Sequence, residues 1–410
     1  MVLTFVLIFE FKLDNNELII SFIVFATCSK QIMDIETKVV QGLPIHHSST
    51  GSISTPIYQT ATFRHPELGR STGYDYTRTK NPTRDNLEST YAFLESGTVG
   101  VSFSTGMAAI AAIFELFSPK DHFIVCDDIY GGSYRFFRES CEKRGLEFTY
   151  TNTSLIENIK KCIQPNTKAI YVETPTNPMM KVSDIIEISK LAKEHNLVTI
   201  VDNTFLTPYF QRPLELGADI VTSSATKYLG GHNDTLTGLV AVKDSELGER
   251  LKFIQNTLGI NAAPFDSWLI LRGIKTLAVR MERQEKNAIT LANWLQEQKL
   301  IKKVLYPGLK NHPEHEISKK QSSGFGGMLS FEVASKDLVA KILKNIKIIS
   351  FAESLGGVES LITYPIVQTH ADVPTEMLEK LGVNERLLRL SVGIESPDDL
   401  IADLCDAMSC

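Results

Sequence analysis

Between residues 99 and 222 the chain repeats one pattern: a short apolar run, a polar turn, then a longer stretch with apolar residues at helical spacing. The apolar runs fall at 99–103, 123–126, 147–150, 168–172, 197–201 and 220–222, and the helical stretches between them at 108–117, 134–143, 154–163 and 183–195. In the last of these, Ile185, Ile188, Leu191 and Ala192 share one face. Repeated units of this kind predict an α/β fold, a largely parallel sheet with helices on both faces. No G-x-G-x-x-G follows any of the strands, which argues against a dinucleotide domain. The run 238–242 predicts an antiparallel strand. After it the chain turns helical over 267–298 and leads to a second unit, with strands near 329–333 and 387–392. At 410 residues, two domains are expected.

In open α/β sheets the ligand lies at the strand ends, and several polar clusters fall there. The foremost is 222–232, where Lys227 stands among Ser223, Ser224 and Thr226 just before Gly230-Gly231. A desolvated lysine has a lowered pKa, and its free amine can attack a carbonyl. The hydroxyls of Ser224 and Thr226 suit a phosphate. An aldehyde that carries a phosphate is pyridoxal 5′-phosphate, which proteins hold through a lysine. Alone, this motif would read as a surface lysine in a polar loop; its neighbours change that.

Ser104-Thr105-Gly106-Met107 opens an alanine-rich helix, and small residues before a helix N-terminus make an anion site. Tyr130-Gly131-Gly132-Ser133 follows one strand, Glu173 to Pro178 another, and Asp202-Asn203-Thr204 a third. Asp202 directly follows an apolar run, and a carboxylate there is costly unless a cation pairs with it. A protonated pyridine nitrogen is such a cation. Residues 37–82 are rich in Ser, Thr, Gly and Pro, an irregular stretch of a kind that usually binds something. Within it Tyr76 and Arg78 alternate along an extended chain and point the same way. Arg78 could grip a phosphate with both arms of its fork. Arg389 lies inside the apolar run 387–390, as an edge charge or a carboxylate clamp.

Composition narrows the partners. The net charge of -6 is mild and no basic run suggests nucleic acid or a membrane surface. The cysteines at 28, 126, 141, 162, 405 and 410 form no C-x-x-C pair, so neither a metal site nor a disulfide framework is expected, which fits a reducing cytoplasm. Residues 1–32 differ from the rest: two apolar runs flank a charged middle. Neither run is long enough for a membrane span, and no basic stretch precedes them as in a signal peptide. They are read as a non-native or disordered extension before Met33.

The segments YDYTRTKNPTR, STGMAAI, IYGGSYR, VETPTNP, VDNTF, SSATKYLGGH, ESLGGVESLITYP and LRLSVGIE occur in this order. Together they resemble the Cys/Met-metabolism family of pyridoxal-phosphate enzymes, from about residue 35 to the C-terminus. The resemblance implies the fold-type I architecture of PLP-dependent transferases: an N-terminal arm (33–86), a large cofactor domain (87–283) with a mostly parallel seven-stranded sheet, and a small C-terminal α/β domain (284–410). It implies a homotetramer, a dimer of dimers with active sites shared across each dimer. It assigns Lys227 to the Schiff base, Asp202 to the pyridine nitrogen, Tyr130 to the ring face and Asn177 to the ring hydroxyl. Gly106, Met107, Ser224 and Thr226 would hold the phosphate, with Tyr76 and Arg78 reaching it from the neighbouring subunit. Arg389 would bind the substrate α-carboxylate, with Ser354 nearby, and Arg135 and Glu353 would also contact substrate.

Small amino-acid substrates follow from the same resemblance. Glu353 looks like the acidic residue that γ-synthases and γ-lyases use for an ammonium group. Gly132 stands where methionine γ-lyases tend to have cysteine. The expected reaction is γ-replacement on an O-acylated homoserine by cysteine. The alternatives are γ-elimination of cystathionine, then β-elimination or direct sulfhydrylation. A catalytically inactive cofactor-binding homologue is the alternative of another class.

Overall fold

The computed structural model describes residues 4–14, 17–27, 33–42, 50–371 and 373–409, the first two segments by their backbone alone. Strands β1 (Thr4–Asp14) and β2 (Glu17–Thr27) pair antiparallel and join neither of the other sheets. The sequence reading did not anticipate this pairing. Part of the expected arm, 43–49, lies outside the described residues.

The large sheet has seven strands: β3 (Val99–Phe103), β4 (His122–Cys126), β5 (Glu147–Thr151), β6 (Thr167–Glu173), β7 (Val198–Asp202), β8 (Ile220–Ser224) and β9 (Gly238–Val242). Their order is β3-β9-β8-β7-β6-β4-β5, and β9 alone runs against its neighbours. Ala169 to Val172 of β6 are all buried, as expected where helices cover both faces and the apolar run need not alternate. The second sheet holds β10 (Ile301–Leu305), β11 (Met328–Val333), β12 (Ser350–Phe351), β13 (Leu361–Thr363) and β14 (Leu387–Ser391), in the order β10-β11-β14-β13-β12.

One helix joins the two units. Leu277–Glu297 buries Leu277 and Met281 in the core of the large sheet, and Ala288, Leu291 and Leu295 in the core of the small one. The stretch 267–298, expected as one or two long helices, is two: Pro264–Ile274 and Leu277–Glu297.

The other notable difference is the helix expected at 134–143. It begins earlier, as Gly131–Phe136, and continues as a π turn, Phe137–Cys141. Glycine pairs are poor helix formers, so propensity placed the start after them. Tertiary contact overrides propensity here. A Cβ on Gly131 would lie 2.1 Å from the carbonyl oxygen of Thr369, so only glycine lets the small domain approach.

Candidate functional site

The chain passes from β5 across β4 to β6, so the strand order reverses between β4 and β6. A crevice opens at the carboxyl ends of the strands at such a point. Tyr130 follows β4, Asn177 follows β6, Asp202 closes β7, Ser224 closes β8 and Lys227 lies on the turn just after it. Small-domain residues close the other side. The result is a cavity of about 220 Å³ lined by Gly106, Met107, Tyr130, Asn177, Asp202, Ser224, Thr226, Lys227, Glu353, Ser354 and Arg389, all of them expected at the site from the sequence.

Lys227 Nζ donates to Ser354 Oγ at 2.9 Å. The Lys227 pKa is lowered to about 8, first by burial and then by the Arg389 guanidinium, with Glu353 opposing both. About a tenth of the amine is then neutral at pH 7, far more than for an ordinary lysine, and the neutral form is the one that attacks.

Asp202 Oδ1 accepts from Thr204 N at 2.9 Å and from Thr204 Oγ1 at 2.5 Å, and Tyr171 Oη lies 3.5 Å from Oδ2. Burial raises the carboxyl's pKa and the Thr204 hydrogen bonds oppose that rise. A cation beside it would add to what Thr204 does.

Just past the carboxyl end of β3, Thr105 caps the helix Gly106–Phe114 by accepting from Ala108 N at 3.0 Å. The first N–H groups of a helix have no partner within it. A Cβ on Gly106 would lie 2.9 Å from Ser224 Cβ, so the missing side chain is what leaves the cradle open. Thr204 Oγ1 also accepts from Ser224 N at 2.9 Å, which joins the Asp202 end of the cavity to the Ser224 end.

Arg389 lies fully buried within β14. It donates to Asn177 Oδ1 at 3.0 Å, to the Ser354 carbonyl oxygen at 2.9 Å and to Thr363 Oγ1 at 3.0 Å. Burial brings its pKa down to about 10, still well above neutral, so the guanidinium keeps its charge. Its Nε is buried without a partner among the described residues. Of the alternatives the sequence left open for this residue, the edge-strand charge is excluded, since β14 pairs on both sides.

An amine poised to react, a carboxylate, an anion cradle and a buried guanidinium thus face one cavity. This donor set fits pyridoxal 5′-phosphate together with an amino-acid carboxylate.

Three expected site residues are not brought to this cavity in the chain. Tyr76 and Arg78 flank a separate surface hollow with Gly259 and Pro264. Arg78 donates to the carbonyl and side-chain oxygens of Asn256 at 2.7 and 2.9 Å. Arg135 is exposed on the helix Gly131–Phe136 and does not line the cavity. Conversely, the cavity wall includes Glu173, Thr204 and Thr369, to which sequence reasoning gave no role. Glu173 had a signal: like Asp202, it is a carboxylate directly after an apolar run. Among the described residues no group of three or more His, Cys, Asp or Glu is placed to hold a metal ion.

A family model described as Cys/Met metabolism PLP-dependent enzyme matches residues 36–409. The chain is 52% identical to a cystathionine gamma-synthase/O-acetylhomoserine (thiol)-lyase of Bacillus subtilis, over 91% of this chain and 96% of the relative. It is 49% identical to a cystathionine gamma-lyase of the same organism, over 92% of this chain and 99% of the relative. Among solved structures, a cystathionine gamma synthase from Xanthomonas oryzae pv. oryzae, in complex with aminoacrylate and cysteine, superimposes with a TM-score of 0.90. It is 37% identical and the match covers 92% of this chain and 98% of that one.

Proposed function

The chain belongs to the Cys/Met metabolism PLP-dependent enzyme family, and from that premise we propose that it joins cysteine to an O-acylated homoserine to give cystathionine. Like its relatives it is an enzyme of carbon–sulfur chemistry that uses pyridoxal phosphate. When bound, the cofactor supplies an electron sink for charge that develops at the substrate Cα.

The chain's own residues supply the rest. Lys227 would hold the cofactor, and its free Nζ would take the proton from the substrate Cα. Asp202 keeps the ring nitrogen protonated. Tyr130 would cover the ring face. Gly106, Met107, Ser224 and Thr226 hold the phosphate, and Asn177 contacts the ring hydroxyl. Arg389 takes the α-carboxylate and supplies the donors that an amino acid needs. Residues of both domains line the site.

The observation that favours chemistry at Cγ is Glu353, the acidic position that γ-synthases and γ-lyases share, and the 52% identical relative named as a γ-synthase supports synthesis between the two. Glu353 lines the same cavity, close enough to both Lys227 and Arg389 to influence their charge. An acid there has room to hold the ammonium of incoming cysteine. Gly132 bears on the choice as well. A Cβ at that position would lie 2.4 Å from Tyr130 Cε1, so the cysteine typical of methionine γ-lyases would displace the ring.

A second reading, γ-elimination of cystathionine, draws on the same residue. Glu353 would serve the distal ammonium of cystathionine equally well. The two are separated by a product assay. O-acetyl-, O-succinyl- and O-phosphohomoserine, each with cysteine, are compared with cystathionine alone. Formation of cystathionine from one acyl donor, faster than cystathionine is cleaved, is the expected result. Cleavage without synthesis would overturn the assignment. An inactive binding homologue would show no turnover in either arm.

The site supports a shared architecture too. Tyr76 and Arg78 lie on the surface away from their own chain's cavity. We place them at the phosphate of a second copy, within a homotetramer. Among the described residues no helix is long and apolar enough to cross a membrane. We assign the protein to the cytoplasm because its described cysteines are free thiols, as a reducing compartment keeps them.

A further inference from the structure

Two carboxyl side chains stand next to each other on the floor of the cavity. Glu173 ends β6, Asp202 ends β7, and they are Cα partners in the parallel ladder. Partners in register lie on the same face, one strand spacing apart. Glu173 is 6% exposed. Its surroundings carry little that would hold a second negative charge. Asp202 faces it from β7, Asp128 lies beyond β4, Cys126 is on β4, Tyr171 is on its own strand and Arg389 is on β14.

The two carboxyls differ in their partners. Asp202 receives both the N–H and the hydroxyl of Thr204 on one oxygen. Glu173 receives one neutral donor, Tyr130 N, at 3.0 Å on Oε2. Arg389 directs its hydrogen bonds to Asn177, Ser354 and Thr363 instead. Two adjacent buried carboxyls do not both ionise, and the one with more donors keeps the charge.

We propose that Glu173 is a positioning residue that works as a neutral carboxylic acid. Through one oxygen it fixes the backbone of Tyr130, the residue that starts the helix Gly131–Phe136 and covers the cofactor ring. By staying protonated it leaves Asp202 as the single carboxylate opposite the ring nitrogen. Burial, and then Asp202, push the Glu173 pKa well above the usual carboxylate range, which agrees with that state. The inference rests on the roles given above to Tyr130 and Asp202.

The test uses the holoenzyme with Glu173→Gln and Glu173→Ala. Difference infrared spectroscopy at neutral pH is expected to show a protonated-carboxyl C=O stretch in the wild type that Glu173→Gln lacks. Cofactor retention is then measured by dialysis. Glu173→Ala leaves Tyr130 N without its acceptor and is expected to weaken retention by about 10-fold or more. Glu173→Gln, neutral and still an acceptor, is expected to restore most of that loss. An unchanged protonated-carboxyl region, with carboxylate stretches lost in Glu173→Gln instead, would overturn the neutral acid, and this readout depends on no role assigned to Asp202 or Tyr130. Retention by Glu173→Gln as poor as by Glu173→Ala would show that a negative charge is needed, and would overturn it as well. Should Glu173→Ala fail to fold, the infrared comparison of wild type with Glu173→Gln still decides.

Discussion

Lys227 Nζ donates a 2.9 Å hydrogen bond to Ser354 Oγ across the seam between the two domains. Ser354 is held at φ 90°, a left-handed backbone that costs a non-glycine residue on the order of 1–3 kcal/mol. The same residue's carbonyl receives Arg389. One strained position of the small domain therefore meets both the reactive amine and the carboxylate-binding guanidinium.

The Lys227 amine sets a pH dependence for cofactor capture. Its pKa is brought down to about 8, mainly by burial. Below that value the amine is protonated and cannot attack; above it the free amine dominates. Cofactor uptake by the apoprotein should rise with pH through about 8 and then level off. Stopped-flow absorbance checks this, and a rise only near the ordinary lysine value would contradict it.

Asp202→Asn removes the charge that keeps the ring nitrogen protonated. Losing one preorganised electrostatic partner of this kind typically slows the chemical step by about 10²–10³-fold. Cofactor affinity should fall with it. Single-turnover kinetics with isotopically labelled Cα–H isolate the step, and an unchanged rate would remove the electron-sink argument.

Arg389→Ala should act chiefly on substrate binding. Losing one partner of a buried charge pair costs about 2–5 kcal/mol, which is a rise of roughly 30-fold or more in KM. Arg389 also holds Asn177, Ser354 and Thr363, so some loss of kcat is expected. A KM within about 3-fold of wild type, less than one net hydrogen bond, would refute the clamp.

The shared site has its own test. Arg78→Ala and Lys227→Ala are each expected to be impaired as pure oligomers. Mixed under conditions of subunit exchange, they should regain part of the activity, because one hybrid site has both residues intact. No recovery despite demonstrated exchange would place Arg78 outside the site.

Much of this was legible in the sequence. The strand–helix alternation made the sheet legible, because short apolar runs regularly spaced between helical stretches read as β–α units of a parallel sheet. Lys227, Asp202 and Arg389 stood out as polar residues beside apolar runs, and all three line one cavity. What remained hidden depends on tertiary contact. Position 131 is a glycine because the Thr369 carbonyl leaves no room for a Cβ, and propensity alone does not reveal that neighbour. Glu173 carried the same signal as Asp202. Its importance appears only when β6 and β7 are seen in register. The paired strands β1 and β2 follow from β-branched and aromatic content that was read for length rather than for pairing.

The most direct test is to find where the cofactor is attached. The purified holoenzyme is reduced with borohydride, digested, and mapped by mass spectrometry. The account predicts loss of the visible absorbance band and a phosphopyridoxyl mass on the peptide that contains Lys227. A label on any other lysine, or a colourless protein that takes up no pyridoxal phosphate, would contradict it.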